Sequence, residues 1–425
     1  MARFLYSLAI LALLPWAVAH LLWRARRQPE YLHHWGERFA RYGAASGSAG
    51  PTIWLHAVSV GETRAALPLV AALRETYPDH RILFTHMTPT GRATSEALFG
   101  DSVERIYLPY DTPRGMRRFL RHFRPRLGLI METELWPNLV AACREESVPL
   151  LLVNARLSDR SARRYAQFAA LTREALGSLS AIGAQSNADG GRLEALGARH
   201  VTVTGNLKFD ITVPAQQLEL GAELRLRRGS RKAWLAASTR EGEEALILRA
   251  WRQLGSAGGR SDGTPALLVI VPRHPQRFGD VAKLARESGY RVQLRSENTV
   301  VAGDTDVLVG DSMGEMFAYY VSADLAFIGG SLLDFGSQNL IEAAACGTPI
   351  LIGPSTRNFA DAARAAVTCG AARTIVDADD LVGQVKDLLA DDAALQAMGS
   401  AGRRFAERHR GATARTMDLL SRASR

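Results

Sequence analysis

The sequence predicts an α/β protein of two doubly wound domains in tandem, preceded by a membrane-spanning helix. Short apolar strands alternate with amphipathic helical segments from residue 52 onward, which is typical of a largely parallel sheet. A charged stretch at residues 211–231 interrupts the alternation once, and the pattern then resumes. The length of 425 residues also exceeds what one typical core holds, so two domains are expected.

The N-terminal apolar run covers residues 4–23, close to the ~20 residues that cross a bilayer. The small residues ending at Ala19 have the spacing of a secretory cleavage site, so a cleaved signal that leaves His20 first is the competing interpretation. Apolar residues continue past that site, and three arginines follow at residues 24–27. The positive-inside rule therefore predicts a single-pass anchor at residues 1–27, with the remaining chain in the cytoplasm.

A juxtamembrane segment and linker at residues 28–51 precede the first predicted domain, residues 52–210. Its predicted strands lie at residues 52–58, 81–87, 104–109, 126–131, 149–154, 181–185 and 201–205. We place the interdomain junction at residues 211–231, where the pattern is lost.

The second predicted domain covers residues 232–425 and ends in a polar helical tail from Asp377. Its predicted strands lie at residues 234–238, 266–272, 291–295, 305–310, 324–329 and 348–353. Tandem doubly wound domains imply a ligand cleft between them, at the carboxyl ends of the strands.

The net charge of +9 suits an anionic partner. Arginines cluster between residues 114 and 126, and beside a membrane anchor such a cluster favours anionic lipid. Nucleic acid is disfavoured, because interleaved aromatic residues are few. Three widely spaced cysteines predict neither a disulfide framework nor a zinc site, and no P-loop or HExxH motif occurs, so we expect no metal and no cofactor.

Charged residues end several strands of the first domain. Glu62, in SVGET, is a candidate general base, and a capping box with Ser59 is the structural alternative. Glu132 and Glu134, in METELWPN, form a carboxylate pair of the kind that shifts pKa values, although complementing a helix N-terminus also explains them. Lys208 ends the last strand of this domain.

A glycine-rich stretch at residues 329–354 joins two strands of the second domain through a helix predicted to begin at Ser337. Ser337 would cap that helix, whose free N–H groups attract phosphate. Asn339 and Glu342 share one helix face, and the carboxylate could bind a ribose diol. An ordinary glycine turn with a solvated glutamate is the alternative. Arg273, at another strand end, could neutralise a phosphate.

Several motifs together resemble one known family. They are HAVSVGE, TPTGR, METELWPN, VNARLSDRS, GNLKFD, STREGEE, VPRHPQRF, GDSMGEM and the stretch from Gly329 to Pro354. The set is similar to the 3-deoxy-D-manno-octulosonic acid (Kdo) transferases of Gram-negative bacteria, glycosyltransferase family 30. The similarity runs from the N-terminal anchor to about residue 360.

The resemblance implies a GT-B fold of two Rossmann-like domains facing a cleft, with the first domain binding the acceptor and the second a CMP-sugar. It implies transfer of Kdo from CMP-Kdo to a lipid A precursor, lipid IVA, with inversion, at the inner membrane. Glu62 would be the proton acceptor, and Glu132 and Lys208 would stabilise the transition state. The CMP-contacting motifs correspond to Pro272, Arg273, Met313, Gly314, Glu315, Asn339, Leu340, Ile341 and Glu342.

Two departures from the family are visible: Gln338 and Arg240 stand where members often have histidine. Two alternatives to Kdo transfer remain open from the sequence. One is another GT-B glycosyltransferase that uses a nucleotide sugar on a membrane lipid or cell-wall acceptor. The other is a membrane-tethered protein that binds anionic lipid or nucleic acid without catalysis. The oligomeric state is not predicted.

Overall fold

The chain forms two compact units, each built on a parallel sheet. The computed structural model describes residues 1–43, 50–254 and 265–423. Unit 1 comprises Met1–Asp210 and His409–Arg425, and unit 2 comprises Ile211–Arg408. The sheet of each unit has seven strands among the described residues. The predicted α/β fold class is confirmed, and the predicted strands lie within two residues of the observed ones.

Unit 1 places helices on both faces of its sheet. The strands are β1 (Thr52–His56), β2 (Arg81–His86), β3 (Glu104–Tyr107), β4 (Pro125–Met131), β5 (Leu150–Ala155), β6 (Ala181–Ala184) and β7 (Val201–Val203). The helices up to the end of this sheet are α1 (Ala2–Ala25), α2 (Val60–Ala65), α3 (Leu67–Thr76), α4 (Pro89–Phe99), α5 (Pro113–Phe123), α6 (Pro137–Glu145), α7 (Asp159–Ala166), α8 (Ala169–Gly177) and α9 (Asn187–Ala195). Trp54 and Leu55, neighbours on β1, are fully buried in separate cores on the two faces.

Unit 2 repeats this plan. Its strands are β8 (Ala233–Thr239), β9 (Leu267–Pro272), β10 (Val292–Leu294), β11 (Val307–Val309), β12 (Leu325–Ile328), β13 (Ile350–Ile352) and β14 (Ala372–Thr374). Its helices are α10 (Ala215–Arg228), α11 (Glu243–Leu254), α12 (Phe278–Glu287), α13 (Met316–Ser322), α14 (Ile341–Cys346), α15 (Ala360–Thr368), α16 (Ala378–Ala390) and α17 (Asp392–Arg408).

The segment placed at the junction, residues 211–231, belongs to unit 2, which begins at Ile211, directly after the predicted end of the first domain at residue 210. Most of it forms α10, which packs against α13. Arg228 and Arg225 reach the carboxylate of Asp324 at 2.6 and 2.9 Å, and Asp324 also accepts the backbone N–H of Ala233. The charged residues that obscured the helical pattern of α10 are therefore the residues that bind it to Asp324.

The last helix, α18 (Ala412–Ala423), lies in unit 1, whereas the sequence placed residues up to 425 in the second domain. Leu419 and Leu420 fill the same core as Leu55. The carboxylate of Asp210 accepts the N–H of Gly411 at 2.6 Å and that of Ala412 at 3.3 Å. The apolar packing of α18 and the hydrogen bonds from the residues at its start to Asp210 together hold this helix in unit 1.

Residues 28–43 also belong to unit 1. They form two short 3₁₀ helices, Pro29–Leu32 and Trp35–Phe39. Glu37 accepts Arg92 at 2.9 Å and the N–H of Tyr107 at 2.7 Å, which fixes the segment beside β3. The linker predicted from Gly43 lies mostly outside the described residues, which exclude residues 44–49.

Helix α1 is long and apolar enough to cross a membrane, and an 18-residue stretch of it has a mean hydropathy of 1.9. It is the one such helix among the described residues. Three polar residues near its start contact unit 1: Tyr6 donates to Asp111 at 2.9 Å, Ser7 donates to Asn138 at 2.8 Å, and Arg3 lies 3.3 Å from Glu145. Most of its large apolar side chains are exposed, whereas Leu21 is buried.

Candidate active site

The strand order of unit 1 is β3-β2-β1-β4-β5-β6-β7, so the topology reverses between β1 and β4. Ligands of doubly wound sheets bind at this point, beyond the carboxyl ends of the strands. Glu62 lies in the segment that follows β1, and Glu132 and Glu134 follow β4 directly. The topology therefore brings the predicted carboxylates to the expected ligand site of this unit.

Glu62 forms half of the predicted capping box with Ser59, because its carboxylate accepts the N–H of Val58 rather than that of Ser59. Ser59 Oγ accepts the N–H of Glu62 at 3.2 Å and donates to Glu62 Oε1 at 2.8 Å. Glu62 Oε2 accepts the N–H of Val58 at 2.8 Å. These bonds fix the Glu62 carboxylate at the N-terminus of α2. Glu62 therefore contributes to the cap of this helix.

The environment of Glu62 adds a chemical property that a helix cap does not need. Glu62 is 8% exposed. Burial, together with the charge of Glu132, raises the pKa of Glu62 to about 7, against the opposing hydrogen bonds from Val58 and Ser59. A carboxylate with a pKa near the working pH is suited to take a proton from a substrate hydroxyl.

Glu132 and Lys208 form a partly buried ion pair. Glu132 adopts a left-handed conformation, with φ of 56°, directly after β4. Lys208 Nζ lies 3.1 Å from Glu132 Oε1, and Arg156 Nη2 lies 3.7 Å from Oε2. Lys208 comes from the 3₁₀ helix Leu207–Asp210. The structure therefore brings together the three predicted catalytic residues.

Glu134 has a different hydrogen-bond partner from that pair. Its Oε2 accepts Trp136 Nε1–H at 2.7 Å, and burial raises the pKa of Glu134. Two residues beside these carboxylates, Asn154 and Arg156, were not predicted from the sequence. Asn154, with φ of 52°, accepts the N–H of Leu207 at 3.0 Å and so positions the turn that presents Lys208. Their place at the end of β5 was the available signal.

In unit 2 the glycine-rich stretch differs from the prediction at its helix. α14 begins at Ile341 rather than Ser337, and Ser337 has a φ of 72° and does not cap it. Asn339 Oδ1 instead accepts the N–H of Ile341 at 3.0 Å. The predicted helix start and cap at Ser337 are therefore wrong, because the loop continues through Gln338 before the helix starts.

The predicted pairing of Asn339 and Glu342 is present. Asn339 Nδ2 donates to Glu342 Oε1 at 3.0 Å. The fully buried Tyr320 has its pKa raised by burial and by Glu342, whereas Arg273 acts in the opposite direction. Arg273 and Glu342 therefore both lie close to Tyr320, although they are far apart in the sequence.

The remaining predicted CMP-contacting residues lie at or after the ends of β9, β11 and β12. Glu315 accepts Ser312 Oγ at 2.7 Å and lies 3.2 Å from Arg295, and Gly314 has a φ of 81°. Leu340 and Ile341 have fully buried side chains, so only their backbone groups can face a ligand. Pro272 ends β9, and Met313 is 56% exposed.

A buried carboxylate, Glu243, fixes the glycine loop and was not predicted from the sequence. Glu243 Oε2 accepts the N–H of Gly330 at 2.7 Å and that of Arg240 at 2.8 Å, while Oε1 accepts the N–H of Leu332 at 3.0 Å. The residue is fully buried. Glu243 lies in the motif STREGEE, at the start of α11. Two of its hydrogen-bond partners, Gly330 and Leu332, lie some ninety residues away and could not be recognised from that motif.

The two doubly wound units, with a carboxylate site after β1 and β4 and a glycine loop after β12, define a GT-B glycosyltransferase. A family model described as 3-deoxy-D-manno-octulosonic-acid transferase matches residues 33–211, and one described as glycosyl transferases group 1 matches residues 246–405. The chain belongs to the 3-deoxy-D-manno-octulosonic acid transferase family.

The similarity to curated relatives extends over the whole chain. A 3-deoxy-D-manno-octulosonic acid transferase of Bordetella pertussis is 44% identical over 99% of both chains. One of Haemophilus influenzae is 38% identical over 99% of this chain and 98% of its own. A crystal structure of a Rickettsia africae glycosyltransferase covers 88% of this chain and 98% of its own, with a TM-score of 0.57 and 13% identity, and supports the fold alone.

Proposed function

We propose that this enzyme transfers Kdo from CMP-Kdo to a lipid A precursor, lipid IVA, in lipopolysaccharide core biosynthesis. The observation that supports this most is the buried Glu62, with a pKa of about 7, beside the Glu132–Lys208 pair, in a chain of the Kdo transferase family. In this proposal unit 1 binds the acceptor and unit 2 binds the CMP-sugar.

The proposed reaction is one displacement with inversion at the anomeric carbon. A hydroxyl oxygen of the acceptor forms the new bond to that carbon, and its proton passes to Glu62. The bond from the anomeric carbon to the phosphate oxygen breaks, and CMP leaves with the electron pair. Glu132 and Lys208 stabilise the charge that develops in the transition state.

The proposed CMP site uses Arg273 against the phosphate and Glu342 against the ribose hydroxyls. Residues 272, 313–315 and 339–341 complete it, with the buried Leu340 and Ile341 contributing backbone groups. An assay of Kdo transfer from CMP-Kdo to lipid IVA, followed by mass spectrometry of the lipid, tests the function. Inhibition by UDP as strong as that by CMP, or no Kdo product, would contradict it.

Replacing Glu342 with alanine is expected to weaken CMP binding by about 10-fold or more, because the carboxylate that accepts the ribose hydroxyls is lost. Calorimetric titration with CMP measures this. Asn339 keeps its bond to the N–H of Ile341, so α14 should still form. Unchanged CMP affinity would show that Glu342 does not bind the nucleotide. The matched control is Glu297→Ala, which removes an exposed glutamate of the same unit.

We also propose that α1 anchors the chain to the inner membrane as a single pass, with both units in the cytoplasm. Eight large apolar side chains of α1 beyond Met1 are exposed by 48% or more, at Phe4, Leu5, Leu8, Leu11, Leu13, Trp16, Leu22 and Trp23. Keeping each in water costs about 1 kcal/mol or more. The contacts of Tyr6, Ser7 and Arg3 with unit 1 contribute about 1 kcal/mol each or less, so lipid is favoured.

A helix that crosses the bilayer must release those contacts, because its first residues then lie on the opposite side from unit 1. We therefore expect Arg3→Cys, which precedes the apolar run, to react with an impermeant maleimide added outside intact spheroplasts. Gln28→Cys, the matched control at the other end of α1, should react only after permeabilisation. Protection of Cys at position 3 until permeabilisation would show that α1 lies on the cytoplasmic face, with its first turn against Glu145.

A further inference from the structure

Arg240 lies at the ligand-binding point of the second sheet. The strand order β10-β11-β9-β8-β12-β13-β14 reverses between β8 and β12, and Arg240 directly follows β8. Gly330 follows β12 on the other side of this point. A Cβ atom on Gly330 would come within 3.4 Å of Arg240 Cγ, so the arginine side chain lies against the glycine loop.

Neutral groups hold the guanidinium of Arg240. Its Nη1 lies 2.9 Å from His274 Nε2, and its Cζ lies 4.7 Å from the centre of the Phe335 ring. Within the described part of the chain, no carboxylate forms an ion pair with it. Arg277, on the same edge, is instead bound by both oxygens of Glu244, at 2.7 and 2.9 Å.

His274 does not supply a counter-charge. An arginine always donates, so His274 Nε2 must accept, which requires a neutral imidazole. Partial burial and the charges of Arg240, Arg273 and Arg277 lower the pKa of His274, which keeps the ring neutral. The positive charge of Arg240 is therefore available to an anion that enters this edge of the sheet.

We propose that Arg240 binds the carboxylate of the donor sugar. This rests on the proposed function, in which the donor has two anionic groups: the phosphate of CMP and the acid group of the octulosonic acid. Arg273 is assigned to the phosphate, which leaves the carboxylate for Arg240. A guanidinium binds a carboxylate through two parallel hydrogen bonds, and the Phe335 ring limits the rotation of its plane.

The test compares CMP-Kdo, which contains the sugar carboxylate, with CMP, which lacks it. Arg240→Gln is expected to raise the KM for CMP-Kdo by about 10- to 100-fold, the usual loss for a charge-assisted hydrogen-bond pair. The inhibition constant of CMP should change by less than about 3-fold. Arg240→Lys keeps the positive charge but not the planar guanidinium. Its KM for CMP-Kdo should therefore lie between that of the unmodified enzyme and that of Arg240→Gln. Arg249→Gln, at an exposed position of α11, controls for the lost charge.

Two outcomes would overturn the assignment: an unchanged KM for CMP-Kdo, or a parallel loss of CMP affinity, which would place Arg240 on the phosphate. Arg240 is half-buried and packs on one ring, so the glutamine variant is expected to fold. If the glutamine variant does not fold, the KM for CMP-Kdo and the inhibition constant of CMP are compared in Arg240→Lys instead. Failure of the proposed function is distinguishable, because the unmodified enzyme would then neither turn over CMP-Kdo nor bind CMP.

Discussion

Replacing Glu62 with glutamine is expected to lower kcat by about 100-fold or more, the scale of losing a general base, while CMP affinity stays unchanged. Glutamine preserves the shape of the side chain and an acceptor for the N–H of Val58, but it cannot take a proton from the acceptor hydroxyl. Kdo transfer and calorimetry with CMP are the measurements. Turnover within a few-fold of the unmodified enzyme would leave Glu62 as a helix cap only.

The pH dependence of kcat/KM provides a second measurement on the same residue. A base acts when it is unprotonated, and burial and Glu132 raise the pKa of Glu62 to about 7. Activity should therefore rise as the pH increases through about 7 and level off above it. The residual activity of Glu62→Gln should lack this rise, whereas Glu96→Gln, at an exposed position of α4, should keep it.

Stability should change in the opposite direction from activity. Because the pKa of Glu62 is raised in the folded state, folding is favoured while the group is protonated. Ionisation then opposes folding progressively as the pH rises from its ordinary pKa of 4.5 to about 7. Above that, the buried charge costs roughly 3 kcal/mol at most. Glu62→Gln should therefore melt higher than the unmodified chain at pH 8, and a lower melting temperature would show that the capping bonds dominate.

The alternation of apolar strands and amphipathic helices was enough to predict the fold, because parallel strands buried on both faces leave a strong pattern. Elements held by charge were harder to place. α10 was missed because Arg225 and Arg228 give it a polar sequence, and their partner Asp324 is about a hundred residues away. β14 was missed because it has three residues, of which two are exposed.

The site followed the same rule. Glu62, Glu132 and Lys208 could be predicted because each ends or follows a strand, and topology then brings them together. Asn154 and Glu243 were missed, because they bind backbone N–H groups of distant loops, which neither residue's position in the sequence indicates. The start of α14 was misplaced because Ser337 fits a cap in type but adopts a left-handed conformation in the loop.

Glu243 is the residue for which we expect the largest effect on stability. Its carboxylate accepts the N–H groups of Gly330, Leu332 and Arg240 in a fully buried position. Glu243→Ala leaves these donors without an acceptor, at about 1–3 kcal/mol each. Burial raises the pKa of Glu243, so removing its charge recovers part of that cost. We expect a net loss of about 3 kcal/mol in the free energy of unfolding of unit 2.

The same substitution should weaken CMP binding, because the loop after β12 is no longer held between Gly330 and Leu332. Denaturant unfolding with and without CMP measures both effects, since a nucleotide that binds only the folded state restores stability in proportion to its affinity. Glu241→Ala removes an exposed glutamate two residues away and should change neither quantity. If Glu243→Ala matched that control, the loop would be fixed by its other contacts, those of Ser355 with Gly336 and of Asn358 with Phe335, and Glu243 would be dispensable to the nucleotide site.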